Sequence, residues 1–339
     1  MAEFKIGGHQ FVKQGTPDGP YILAEIGLNH NGDYKLAREM VQAASECKAS
    51  GVKFQSCNTE GFLHPSLKEA FEIFKGCEFK REEWQGLREL CDELEIDFIS
   101  TPLSLDYVSI LDEIGVAALK IASCDMTYYD LIESCARTSN PVIISTGMSS
   151  LEEILHLNNQ EFLKSKDKIF LHCISNYPPR LEDCHLNFIP TLISELDCPV
   201  GLSDHTMGTS VSIGAVALGA VFIEKHFTLD RSLPGPDHKM SILPADLEEL
   251  VKGCKDVHRS LGLASKPDIE GERPVREIAR RGLYTRSGKI LKGQKVNNET
   301  AVWLRPPNEC LPQETRLLDK EFEANEELFG GISKGSFKG

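Results

Sequence analysis

No stretch of this chain approaches the ~20 consecutive apolar residues of a membrane span, although 41% of its 339 residues are hydrophobic. Cations are in deficit: 37 Lys and Arg stand against 51 Asp and Glu, a formal charge of −14. Such a surface disfavours nucleic acid and anionic membrane as partners. It leaves room for a small anion held by a local cationic cluster. The 11 cysteines are odd in number and include no C-x-x-C pair. A disulfide framework and a structural zinc site are therefore not expected, and the thiols read as buried, reduced side chains. The segment from Met1 to Gly19 lacks the basic-then-apolar order of a signal peptide, which implies a cytoplasmic protein.

What the chain does have is a repeating alternation. Eight short β-rich apolar runs are spaced along it: Tyr21–Gly27, Val52–Gln55, Asp97–Ser100, Ala118–Ile121, Pro141–Ser145, Ile169–Cys173, Pro199–Ser203 and Val221–Lys225. Between them lie helical patterns, among them Tyr34–Ser50, Arg81–Leu94, Leu151–Lys164 and Gly208–Gly219; a last one, Ala245–Gly262, follows the eighth run. Strands that alternate with helices pair in parallel, because a parallel crossover needs a long connection. Eight such units predict an α/β fold of the (β/α)8 TIM-barrel type over residues 1–264. An open doubly wound sheet is the alternative, but the first strand ends in Gly27-Leu28-Asn29-His30-Asn31-Gly32 rather than the Gly-rich loop G-x-G-x-x-G. Residues 265–279 read as a linker, and 280–339 as a small, mostly β domain with pieces at Gly282–Arg286, Ala301–Leu304 and Phe329–Ile332.

Barrel chemistry sits where the strands end. Here the strand ends carry Glu25, Lys53, Thr101, Lys120 with Ser123, Ser145, then Ser175-Asn176-Tyr177, Ser203 with His205, and Glu224 with His226. Each has a bland reading when taken alone: a helix cap, a surface lysine, a core histidine. Eight ends bearing such groups together point to a site. Lys53 and Lys120 interrupt apolar runs, and a lysine in a buried strand is costly unless an anion compensates it. With the hydroxyls of Thr101, Ser123, Ser145 and Ser203 they suit a small anion bearing phosphate and carboxylate. His205 and His226, on neighbouring strands, can share a divalent metal and leave coordination positions open.

In sequence order, the stretches Ala24–Gly32, Val52–Gln55, Ser100–Pro102, Lys120–Ser123, Ser145–Met148, His172–Pro178, Gly201–Thr206, Glu224–Thr228 and Pro234–Asp237 resemble the sialic acid synthase family. The resemblance implies an enzyme that condenses phosphoenolpyruvate with an N-acyl amino sugar and water, giving a nine-carbon 2-keto acid and phosphate. It implies phosphoenolpyruvate on Lys53, Thr101, Lys120, Ser123, Ser145 and Ser203. Mn²⁺ or Mg²⁺ is expected on His205 and His226, and Glu25 is expected to move protons. The sugar is expected on Tyr177, Glu224 and Asp237 and on Ser175 or Asn176, since Ser175 stands where the family often has asparagine and Asn176 follows. The tail is similar to the family's antifreeze-like domain, with Arg305-Pro306-Pro307 in place of Arg-Pro-Gly. That similarity implies a domain-swapped homodimer in which Arg305 reaches the sugar in the other subunit's site. A keto-deoxy sugar acid phosphate synthase and a non-catalytic carbohydrate-binding protein are the competing readings. The first commonly adds a cysteine site and extra arginines, which the strand ends lack; the second rests on the tail alone.

Overall fold

The computed structural model describes the chain apart from residues 1–2, 14, 310–321, 334, 336 and 339. It divides into two compact units, Met1–Gly262 and Leu263–Gly339. In the first, a short antiparallel hairpin, β1 (Phe4–Ile6) and β2 (His9–Phe11), precedes eight parallel strands. These are β3 (Tyr21–Gly27), β4 (Gly51–Ser56), β5 (Asp97–Pro102), β6 (Ala118–Ile121), β7 (Val142–Ser145), β8 (Lys168–Cys173), β9 (Val200–Asp204) and β10 (Phe222–His226). They close in sequence order, with β10 against β3, and helices follow the strands as expected for a TIM barrel.

Side chains alternate across a strand with period two, and this parity separates structure from chemistry. One set, including Ile22, Ala24, Val52, Phe54, Phe98 and Leu119, packs outward under the helices. The other set fills the barrel with Tyr21, Leu23, Ile99, Ala118, Ile143, Ile169, Leu171 and Phe222 near the strand starts. Phe4, Ile6 and Phe11 of the hairpin close this end. One or two inward steps further along each strand, the residues become polar.

Three local features go beyond the sequence pattern. The N-terminal segment, outside every expected strand and helix, forms the hairpin. The pattern over Leu151–Lys164 is two helices, Leu151–Asn158 and Glu161–Lys164, broken at Asn159-Gln160. Residues 265–279 contain a helix, Arg273–Ala279. Pro274 lies in its first turn, where a missing N–H costs nothing, so this proline starts a helix.

The second unit carries the strand Gly282–Ile290 between Ala301–Leu304 and Leu328–Gly331, with a second small sheet beside them in the sequence order. Leu283, Ile290, Val296, Ala301 and Leu328 make its small core. All ten described cysteines are free thiols, and nine are buried; Cys310 lies outside the described residues. Among the described residues, no helix is long and apolar enough to cross a membrane.

Candidate active site

The inward parity that starts with Tyr21 and Leu23 on β3 arrives at Glu25, 1% exposed. The β3–β4 register sets Glu25 against Lys53, and Lys53 Nζ lies 2.7 Å from Glu25 Oε2. The same ammonium donates to Thr101 Oγ1 on β5 at 3.1 Å and stands 3.8 Å from Glu224 Oε2 on β10. Lys120 Nζ approaches Glu224 Oε2 to 4.0 Å and donates to the Ile121 carbonyl at 2.9 Å. Ser203 donates to Glu224 Oε1 at 2.8 Å. Lys53 and Lys120 are thus compensated by two resident carboxylates, and Glu224, expected as a sugar contact, stands within 4.0 Å of both ammoniums.

This packing sets the protonation states. Burial pushes Glu25 up, and the Glu224 charge adds to it; the Lys53 ammonium pulls the other way, and the carboxyl ends at about 7. Burial also opposes charge on Glu224, but Lys120, Lys53 and the Ser203 hydroxyl outweigh it and hold this carboxyl below its usual range. Two carboxyls on one cluster are therefore split, one poised near neutrality and one kept ionised, as acid–base chemistry requires. Burial lowers Lys120, and Glu224 offsets only part of that.

The histidines lie on the same inner surface. Their ring centroids are 5.4 Å apart, and the Tyr177 ring sits 4.1 Å from that of His205. His205 Nδ1 lies 2.9 Å from the Ile174 carbonyl, which fixes the ring and leaves Nε2 for another partner. His226 Nδ1 is buried with no hydrogen-bond partner, 4.0 Å from Asp237 Oδ2. Burial holds His226 well below its ordinary value, in the neutral form that binds metals. Among the described residues, no three His, Cys, Asp or Glu side chains form a ready metal cluster. The fit to a cation rests on donors instead: the unpartnered His226 Nδ1 and the His205 Nε2 left by the Ile174 contact are two imidazole nitrogens that a divalent ion could take.

Beyond the strands, Gly147 N donates to Ser123 Oγ at 3.0 Å. A β-carbon on Gly147 would fall 2.2 Å from Ser175 Oγ and 2.8 Å from Ser123 Oγ, so glycine lets three loops converge. Ser145 Oγ and Ser175 Oγ are buried without partners, a cost that a bound acceptor would remove. Asn176 Oδ1 accepts from the Tyr177 N–H at 3.0 Å. Asp237 is carried by a loop pinned at His238, whose Nδ1 lies 2.7 Å from Thr228 Oγ1 and whose Nε2 lies 3.2 Å from Asn31 Nδ2. Arg305 belongs to the second unit, exposed just after the strand Ala301–Leu304.

Four strand-end residues to which the sequence assigned no role also contribute. Gln55 donates to Glu25 Oε1 at 3.3 Å; its inward parity two residues after Lys53 was the available signal. Cys173 ends β8 inside the barrel, with Sγ 3.9 Å from His205 Nδ1. Asp204 and Lys225, each beside a histidine in sequence, form a buried ion pair of 2.8 Å; nothing in the sequence signalled their pairing.

Folding raises Glu25 above its ordinary range, so the native state keeps a proton that the unfolded chain has lost. Glu25 then contributes stability below its ordinary value near 4.5 that disappears as pH rises through about 7. Urea unfolding of the wild type and Glu25→Gln across pH 5 to 8 checks this. Relative to the variant, the wild type should lose stability with rising pH; a constant difference would assign Glu25 an ordinary titration.

A closed parallel barrel with split carboxyls, buried ammoniums and paired imidazoles at the C-terminal ends of its strands defines an enzyme of the β/α-barrel class. A model of the NeuB family matches residues 40–266. The N,N'-diacetyllegionaminic acid synthase of Legionella pneumophila is 37% identical over 315 residues, 87% of each chain. An uncharacterized protein of Methanocaldococcus jannaschii is 44% identical over 307 residues, 90% of each chain. Among solved structures, the N-acetylneuraminic acid synthetase of Leptospira borgpetersenii, in complex with citrate, has a TM-score of 0.76 and 36% identity, covering 81% of this chain and 95% of that one. The chain belongs to the NeuB family, the sialic acid synthases, and is a transferase of that class.

Proposed function

We propose that the enzyme condenses phosphoenolpyruvate with an N-acyl amino sugar in its open-chain form and with water, giving a nine-carbon 2-keto acid and phosphate. The observation that carries this reading is the buried Lys53 and Lys120, with the unpartnered hydroxyl of Ser145 on the strand next to that of Lys120 and that of Ser175 after β8. Two ammoniums and several hydroxyls on one inner surface match a substrate with a carboxylate at one end and a phosphate at the other. Anchoring both ends fixes the face of the enol that meets the sugar.

In the reaction, C3 of the enol forms the new bond to the sugar aldehyde carbon. Water adds at C2, and the resulting tetrahedral centre expels phosphate. Glu25, poised near neutrality, is the group suited to pass a proton to or from the sugar oxygen or the attacking water. Lys53 and Lys120 hold the phosphoenolpyruvate, with Thr101, Ser123, Ser145 and Ser203 completing its hydrogen bonds. Tyr177, Asp237, Ser175 and Asn176 line the approach of the sugar. A Mn²⁺ or Mg²⁺ ion on His205 and His226 would supply Lewis-acid polarisation of the sugar aldehyde.

For the sugar, a 6-deoxy diacetamido aldose is favoured, because relatives from Legionella pneumophila and Campylobacter jejuni, 37% and 33% identical, carry the name N,N'-diacetyllegionaminic acid synthase. Phosphate release from phosphoenolpyruvate, measured with a panel of N-acyl aminohexoses and diacetamido sugars, tests the reading. No release with any of them in the presence of Mn²⁺ would refute it.

Metal removal gives a second test. EDTA should abolish turnover, and Mn²⁺ should restore it. Polarisation by a metal is worth several kcal/mol, so His205→Ala and His226→Ala should each lose about 100-fold or more in kcat/KM. Mn²⁺ binding, read by electron paramagnetic resonance, should weaken in both variants. Full turnover in a metal-free preparation would end the two-imidazole assignment.

A further inference from the structure

Among the described residues, four lysines are buried: Lys53, Lys120, Lys168 and Lys225. Three of them have a carboxylate within 4.0 Å: Glu25 beside Lys53, Glu224 beside Lys120 and Asp204 beside Lys225. Lys168 forms no ion pair with any described residue. It is 7% exposed, and its single hydrogen bond is donated to the Leu163 carbonyl at 2.6 Å. Asp197 and Asp167 attract it only from beyond ion-pair distance, and a buried ammonium bonded to one neutral acceptor stays costly unless an anion comes closer.

Lys168 opens β8, at the end of the barrel opposite the candidate active site. It lines a cleft of about 190 Å³ that Lys13, Lys164 and Lys166 also border. Four lysines thus face two carboxylates there, Asp167 and Asp197, on a chain that is otherwise strongly acidic. The other three amines have replaceable partners. Lys13 pairs with Asp197 at 2.5 Å, but that aspartate is 87% exposed. Lys164 pairs with the exposed Glu161, and Lys166 donates to the Thr138 carbonyl at 2.6 Å. Exposed ion pairs contribute little and are readily exchanged for a better anion.

We propose that this cleft is a second anion site, which takes a small dianion of the phosphate class, free or as a phosphomonoester. Compact ammonium groups favour a concentrated charge with several acceptor oxygens, and Ser165 at the rim adds a hydroxyl. Phe4 and Pro199 offer an apolar wall to the carbon part of an ester. Five residue steps of β8 separate Lys168 from Cys173 at the opposite end, roughly 17 Å at a strand's rise per residue. A ligand here would not compete with substrate.

The whole chain and its Lys168→Met variant are compared in thermal melts and by isothermal titration calorimetry. The probes are inorganic phosphate and glycerol 3-phosphate, against chloride at equal ionic strength. Any phosphate bound at the candidate active site is common to both proteins and cancels. Without the probes, Lys168→Met should melt at or above the wild type, because a buried charge that lacks an ion pair has gone, and its turnover should be unchanged. With a probe, the melting temperature of the wild type should rise more than that of Lys168→Met, and the wild type should titrate one additional site. Lys166→Met, altered at a half-buried position, should lose the same increment and serves if Lys168→Met does not fold. A larger response to phosphate or to the ester identifies the source of the group. Equal shifts and equal stoichiometry in wild type and variants would overturn the proposal. So would a Lys168→Met protein that melts lower without anion yet binds both probes like the wild type. These readouts need no turnover, so they hold or fail independently of the phosphoenolpyruvate reading.

Discussion

Lys53→Ala should lower kcat/KM for phosphoenolpyruvate by roughly 30- to 5000-fold, the equivalent of about 2–5 kcal/mol for a buried charge that loses its partner. Two effects add. The variant removes a cation proposed to face the substrate anion, and it leaves Glu25 and Glu224 in one buried cluster with Lys120 as the nearest compensation. Glu25, already raised to about 7, loses the ammonium 2.7 Å away that pulls its carboxyl down. It should therefore stay protonated to higher pH, and the pH–rate profile should move to the alkaline side. Lys53→Arg keeps the charge but not its compact shape, and should recover only part of the rate. Steady-state kinetics with each substrate varied in turn decide the matter. A Lys53→Ala enzyme that changed only the sugar's KM would detach Lys53 from phosphoenolpyruvate.

The second large effect is expected behind the barrel wall. Asp204 and Lys225 have outward parity on β9 and β10, and both side chains are 1% exposed. Lys225 Nζ donates to Asp204 Oδ2 at 2.8 Å and to the Thr206 carbonyl at 2.5 Å. Ser212, on the helix Ser210–Ala217, donates to the same Asp204 oxygen at 2.5 Å. The pair fastens the ends of two strands to each other and to a helix, immediately beside His205 and His226. Breaking it from one side strands a buried charge, so Asp204→Asn and Lys225→Met should each cost about 3–5 kcal/mol of stability. The double variant should lose clearly less than the two singles combined, since no lone charge remains. Urea unfolding of the four proteins measures this. Strict additivity would mean that the two side chains do not stabilise one another.

The strands were readable because a barrel strand is covered on both faces and keeps a nearly continuous apolar run, broken only where chemistry enters. The observed bounds of β3 and β6 coincide with the expected ones, and those of β9 differ by one residue at each end. The hairpin of β1 and β2 escaped because three-residue strands beside Gly7-Gly8 carry too few alternations to register as a period. The helix Arg273–Ala279 escaped because a proline in a polar stretch reads as a breaker, and only its place in the first turn makes Pro274 a start. The candidate site was legible as a set of strand-end residues, since period-two parity puts Glu25, Lys53, Thr101, Lys120, Ser145, Ser203, Glu224 and His226 on one inner surface once the register is known. The cavity-lining role of Lys168 was not legible, because a lysine at a strand's start looks in sequence like any exposed end.

The amino-acid sequence alone determined the barrel and the polar character of its strand ends, because both follow from local periodicity and from which residues interrupt apolar runs. The partnerships among those residues came only from closure. When β10 meets β3, Glu224 and Glu25, nearly two hundred positions apart, come to share Lys53 in a buried space. Coulomb and desolvation energies depend on separations of a few ångströms and on burial. Neither quantity exists along a linear chain, so the split carboxyls, the buried Asp204–Lys225 tie and the unpaired Lys168 were decided by the tertiary structure.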